Sequence, residues 1–416
     1  MHFVFSPPAD AAAGLLDLPW EQPLEEWSDD RITEIPQRGI SRHVVRFVAE
    51  GGEVFALKEL AEPLARREYA LLRRLKELGI PAVDVLGVVV ERPDDLDAIL
   101  VTRFLDYSSS FRALFASPRG SNMSERLMDA QVELLARLHL AGFLWGDCSL
   151  SNTLFRFDAG ALTAYLVDAE TAEVHERLTT GQREYDLELA HERVAGELLD
   201  LEAGGFLAED VDPLEVADRL VRRYHDLWHE LTDEEIIPRE EQRYRIAERI
   251  RRLHELGFDV DEVDLIDVPG GGSRVRFTTR VAEPGHHRRV LMSLTGLDVW
   301  ENQARRLLAD IASFRGWMEQ VEGRRVPDAL AAARWLTEVY QPVVESIPPH
   351  LRTRLDPSEV FHEVLEHRWF LSEAAGRDVG TTAAAKDYIS RVLPAVPDDL
   401  VTPAPIHLSA GRDGWV

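Results

Sequence analysis

Between Arg31 and Leu105 the chain sets short apolar runs around one long helix, and that order restricts the folds open to it. Three strand-like runs, RITEI, SRHVVRFVA and EVFALKEL, follow one another, with turn residues at Gly39 and at Gly51 and Gly52 between them. A helical stretch opens near Pro63, continues through ARREYALLRRLKEL and stops at Gly79, with Pro81 beyond it. AVDVLGVVVE and DAILVTRFL read as further strands. The expected result is a five-stranded antiparallel sheet with one helix after its third strand.

After Asp106 helices dominate. A short one is expected around FRALF and a longer one from Ser124 to Ala141, where Leu127, Leu134, Leu135 and Leu138 recur at helical spacing. GDCSLSN follows directly, then the brief strands TLFRF and LTAYLV, which lead into Asp168. YDLELAHERVAGELLDLEAGG reads as a helix that stops at Gly204 and Gly205, where a domain boundary is expected. Beyond it come charged helices around DPLEVADRLVRRYHDLWHEL and EEQRYRIAERIRRLHEL, a three-strand meander over 263–294, and further helices from Asp298 to Leu393. The chain is therefore read as α+β: an N-terminal extension over 1–30, a two-lobed domain over 31–205 divided near 106, a mainly helical domain over 206–400, and a tail over 401–416.

At 416 residues the chain is longer than the roughly 100–150 residues one hydrophobic core usually serves, in keeping with two domains. A formal net charge of -27 and a pI near 4.9 argue against nucleic acid or an anionic membrane as a standing partner. With Cys148 as its one cysteine the chain can form no internal disulfide. The N-terminus lacks a basic segment and its apolar stretches are broken by Pro7, Pro8 and Asp10, so no secretory signal is read there. Nor does any run approach the roughly 18 apolar residues of a membrane span. A cytoplasmic protein is expected.

Against this acidic background a few residues stand out. Among 47 Lys and Arg residues the only lysines are Lys58, Lys76 and Lys386, and Lys58 closes the apolar run FALK. A buried ammonium needs a partner; Glu68, early in the next helix, can reach back to it, with Glu62 as the competing partner and a lysine running out to solvent as the competing picture. Of the asparagines Asn122, Asn152 and Asn302, only Asn152 has an aspartate, Asp147, five positions before it. Asp168 follows in LVDAE. The ordered set Lys, Glu, Asp, Asn, Asp supplies what phosphoryl transfer asks of a protein: a cation on the phosphates, oxygen ligands for magnesium, and a carboxylate that takes the acceptor's proton. ATP and Mg²⁺ are the expected cofactors.

These segments resemble the protein-kinase-like superfamily over about residues 31–205, and within it the lipopolysaccharide-kinase-like and small-molecule kinase branches more than the eukaryotic protein kinases. FALK is similar to the VAIK strand, which implies that Ala56 borders the adenine and Lys58 holds the α- and β-phosphates. LHLAGFLWGDCSLSNTLF resembles the catalytic-loop segment of small-molecule kinases, implying Asp147 as base and Asn152 as metal ligand; LVDAETAE resembles their Asp-x-Glu motif, giving Asp168 and Glu170 metal roles. The resemblance places a hinge near Arg103, Phe104 and Leu105 that meets the adenine edge. It also implies a bilobal kinase-like fold and an acceptor hydroxyl on a small molecule, sugar or glycolipid headgroup.

Departures keep other readings open. Only Gly39 answers the glycine-rich loop, so phosphate cover falls to it, Ser41 and Arg42. Trp145 stands where the catalytic loop normally has histidine, Gly146 where many protein kinases have arginine, and Ala169 where DFG has phenylalanine. A nucleotide-binding regulator or scaffold that turns ATP over poorly is the first alternative, and a Ser/Thr protein kinase the second. The second half, with TGLDVWENQARRLLADI, resembles an uncharacterised bacterial domain of the DUF4032 type, where a protein partner or self-association is expected. His362 and His367 are five apart and do not share the helical face a zincin site needs.

Overall fold

The computed structural model describes residues 1–33, 43–116, 123–159, 161–208, 211–238, 258–268, 272–281, 286–352, 354–375 and 379–396, with a few single positions between them. Gly39, Ser41 and Arg42, most of 239–257, residues 269–271 and 282–285, and the residues from 397 onward lie outside the described residues. The chain forms two compact units, one built from Met1–Arg74 and Val83–Ser108, the other from Leu75–Ala82 and Ser109–Leu400. The expected boundary at Gly205 falls inside the second unit.

The first unit holds an antiparallel sheet in the order His2–Phe5, Val85–Val90, Ala98–Arg103, Glu53–Leu60, Val44–Glu50, Ile32–Thr33. It has six strands where five were expected. The additional edge strand comes from the N-terminus, and Gly87 admits it, since a Cβ there would stand 2.5 Å from the Val4 carbonyl oxygen. The segment read as a mere extension also supplies core: Leu15, Trp20, Leu24 and Trp27 pack against Phe55, Leu57, Ile99 and Val101. Buried Arg92 ties it down, reaching Glu59 and the carbonyl oxygens of Trp20 and Gln22.

Period-two alternation along Glu53–Leu60 decides which residues face that core. Phe55 and Leu57 point into it, which turns Ala56 and Lys58 to the opposite face. Glu62–Leu78 follows as one amphipathic helix.

The second unit carries the helix Met123–Leu140, the antiparallel hairpin Thr153–Asp158 with Ala161–Leu166, and the helix Thr180–Ala203. A capping box between Thr179 and Gln182 starts the last of these. Asp212 caps Pro213–Thr232 through the amides of Leu214 and Glu215. The expected meander is corrected: its strands are Glu235–Pro238, Phe258–Val268 and Gly272–Val281, the last in the middle, and His286–Thr295 is helical. Leu291 and Leu294 pack on the C-terminal core around Trp335, Tyr340 and Phe361, the contact a helical face makes. Among the described residues no helix is long and apolar enough to cross a membrane.

The hairpin is joined to the C-terminal helices by buried polar contacts. Asp158 accepts the amides of Asn302 and Gln303 at the start of Glu301–Glu322, at 3.2 and 2.8 Å. Glu359 accepts the Ala159 amide at 2.7 Å and the Gln303 side chain at 3.3 Å. Arg156 lies over the Trp300 ring, 3.9 Å from its centroid.

Candidate active site

In the first unit, Lys58 Nζ stands 3.0 Å from Glu68 Oε2, and the glutamate side chain is 1% exposed. Cross-strand neighbours Val45 and Leu100 flank the lysine, so its charge is met by Glu68 rather than by bulk water alone. Glu62, the competing partner, instead accepts from Arg66 at 2.8 Å and from the Glu91 amide at 3.0 Å. Removing one member of a buried pair leaves the other charge desolvated, so this contact fixes the helix against the strand.

Ala56 lies in register with Thr102 and Phe47 on the face that Lys58 shares. Phe47 and Phe104 meet edge to face with ring centroids 5.8 Å apart. In the stretch read as a hinge, the Arg103 amide donates to Asp84 O at 2.7 Å, the Phe104 amide to Val54 O at 2.8 Å, and Leu105 O accepts from Ser108 at 2.7 Å. Those bonds tie the stretch to the sheet and to the turn that follows it. Gly39 and Ser41 lie outside the described residues.

In the second unit, Asp147 sits in a loop whose shape is set by its neighbours. Gly146 adopts φ +75°, a conformation that strains a residue with a side chain. This turn points the amides of Trp145 and Gly146 at the two carboxylate oxygens of buried Asp186, at 2.7 and 2.8 Å. Glu197 accepts the amides of Leu150 and Ser151 at 2.8 and 3.1 Å. Asn152 donates its side-chain amide to the Asp147 carboxylate at 3.0 Å and to the Asp147 carbonyl at 3.3 Å. Arg193 approaches Asp147 Oδ1 at 3.3 Å.

Trp145 bridges two backbone segments. Its indole N–H donates to Asp168 O at 3.3 Å, and its carbonyl accepts from the Thr171 hydroxyl at 2.9 Å. Fully buried, it joins the loop to the Asp168 segment. Asn152 O also accepts the Val167 amide at 3.0 Å, which keeps Asn152 beside that segment. Asp168 accepts the Glu170 amide at 2.9 Å, and the carboxylates of Asp168 and Glu170 bring oxygens within 4.8 Å of each other. With the Asn152 nitrogen turned to Asp147, its amide oxygen is the donor left for a cation. Asparagine and carboxylate oxygens are hard ligands that suit Mg²⁺.

Arg193, Glu197 and Asp186 share one stripe of the helix Thr180–Ala203, spaced at i, i+7 and i+11. That polar stripe is the sequence signal that would have found Arg193 and Glu197. Cys148 is buried beside Gln131, whose side-chain amide donates to its sulfur at 3.3 Å, and burial pushes its thiol up, as a packing residue requires.

A strand lysine paired to a helix glutamate, followed by an aspartate–asparagine loop and an Asp-x-Glu segment, agrees with what family comparison returns. Residues 53–195 match the lipopolysaccharide kinase (Kdo/WaaP) family. That match supports a kinase. Residues 226–393 match a domain of unknown function, DUF4032. Among solved structures, one of WaaP in complex with acyl carrier protein aligns over 62% of this chain and 99% of its own, at 16% identity and a TM-score of 0.37. No curated protein matches the chain.

Proposed function

We propose that the lipopolysaccharide-kinase-like segment is the catalytic part of a bilobal, Mg²⁺- and ATP-dependent phosphotransferase. Its acceptor is a hydroxyl on a sugar, a glycolipid headgroup or another small molecule. The kinase-like domain spans about 31–205, divided into two lobes near 106, and 206–400 forms the appended helical domain. The observation that carries this reading is the Asp147 loop, with Asn152 and Arg193 on its carboxylate and Asp186 holding its backbone.

Lys58, ordered by Glu68, holds the nucleotide phosphates, and Asn152, Asp168 and Glu170 hold the cation. Bound Mg²⁺ supplies charge neutralisation on the phosphate oxygens. Asp147 receives the acceptor's proton, and the Asn152 amide fixes the orientation in which it does so. The Phe47–Phe104 pair and Ala56 offer an apolar surface suited to a base.

The deciding experiment is thermal stability with and without Mg²⁺-ATP for the wild type, Lys58→Ala and Asp168→Ala. A ligand at 100 times its Kd stabilises by about 2.7 kcal/mol. A magnesium-dependent rise lost in both variants supports the reading; no rise at saturating ATP overturns it.

A further inference from the structure

The helix Pro213–Thr232 begins beyond the kinase-family match and runs into the DUF4032 match. One of its buried residues, Tyr224, places its hydroxyl 2.6 Å from His139 Nδ1. The other ring nitrogen, Nε2, lies 3.0 Å from Asp186 Oδ2, on the carboxylate that already accepts the Trp145 and Gly146 amides. Around this line, Trp228 stacks on Tyr224 with ring centroids 5.8 Å apart, and Arg183 lies 4.3 Å over Trp228.

The chemistry orders the protons. Asp186 receives two backbone N–H groups, so it accepts from His139 as well, and Nε2 must carry the hydrogen. Burial lowers the imidazole's pKa and so favours the neutral ring. In a neutral ring the remaining nitrogen is an acceptor, so the Tyr224 hydroxyl donates to Nδ1. Hydrogen bonds in series polarise one another, and the last links of this series are the amides on either side of the turn into Asp147.

We infer that Tyr224 is a positioning residue for the candidate active site: its hydroxyl fixes the His139 tautomer, and through Asp186 it holds the turn that presents Asp147. The region after the kinase match thus contributes to the catalytic loop. The catalytic consequence rests on the phosphotransferase reading, whereas the hold on the turn does not.

The test compares full-length wild type with Tyr224→Phe and Trp228→Phe by amide hydrogen exchange at residues 145 and 146, alongside ATP turnover. Loss of the hydroxyl should speed exchange at those amides by about fivefold or more, the scale of one buried hydrogen bond. Turnover should fall by a similar factor with KM for ATP within about twofold, because the nucleotide contacts are untouched. Trp228→Phe keeps the hydroxyl and should leave both amides near wild-type protection. Unchanged exchange in Tyr224→Phe, or equal loosening in Trp228→Phe, would show that the aromatic packing and not the hydrogen bond matters, and overturns the inference. A wild type without ATP turnover sinks the phosphotransferase reading, while the exchange comparison still decides the role of Tyr224.

Discussion

Arg193 reaches the Asp147 carboxylate at 3.3 Å while its own side chain remains 54% exposed. A half-exposed ion pair is worth about 1 kcal/mol or less to the fold. Its value lies in holding the Asp147 oxygen that Asn152 does not reach. Arg193→Ala should leave the unfolding midpoint nearly unmoved and lower turnover by about tenfold, since misplacing the proposed base costs more than losing a surface pair. Parallel denaturant titrations and initial-rate assays check this, and equal losses in both would refute it.

Asp147→Asn keeps an acceptor for the Asn152 amide and gives up the charge that Arg193 faces, and it cannot take a proton. General-base catalysis contributes roughly 10²–10⁴-fold, so turnover of an acceptor should fall by that range while the Mg²⁺-ATP thermal shift persists. Retention of turnover would favour a site in which the acceptor hydroxyl needs no base.

Lys58 with Glu68, and Asp147 with Asn152, were legible in the sequence because each pair sits close along the chain, the first on a strand and helix of clear periodicity and the second within one short loop. Some partners brought together only by tertiary packing were not. Tyr224 and His139 are 85 positions apart, and His2–Phe5 joins Val85–Val90 across a similar span. The strands expected through 263–294 end at Val281, since Leu291 and Leu294 satisfy a helical face equally well, and short apolar runs do not separate the two periods.

Arg92 is fully buried, with Glu59 and the carbonyl oxygens of the N-terminal segment as its partners. Arg92→Met leaves the Glu59 carboxylate without its cation and should destabilise the first unit by about 3–5 kcal/mol. The double variant Arg92→Met, Glu59→Leu should recover part of that loss, because no buried charge is then stranded. Urea unfolding followed by Trp20 and Trp27 fluorescence reads both; a double variant as weak as the single one would contradict the argument.

Two buried groups of the second unit should give stability opposing pH slopes. Burial, partly offset by the Gln303 and Asn302 amides and by Arg156, and reinforced by Asp356, raises the Asp158 carboxyl from 3.8 to about 6. The folded protein therefore binds the extra proton between about 4 and 6, and stability declines as pH rises through that window, by about 3 kcal/mol at 1.4 kcal/mol per unit. His139 behaves oppositely: burial among Asp186, Arg183, Glu184 and Tyr224 lowers its pKa below 6.5. The unfolded chain then binds the extra proton, so its contribution is present above 6.5 and is lost as pH falls through that value. In the wild type the two partly cancel. Asp158→Asn should make the chain more acid-sensitive below pH 6.5, and His139→Gln should make it gain stability as pH falls from 6 to 4. Unfolding free energies measured across this range on both variants check the signs, and parallel profiles in the two would contradict the assignment.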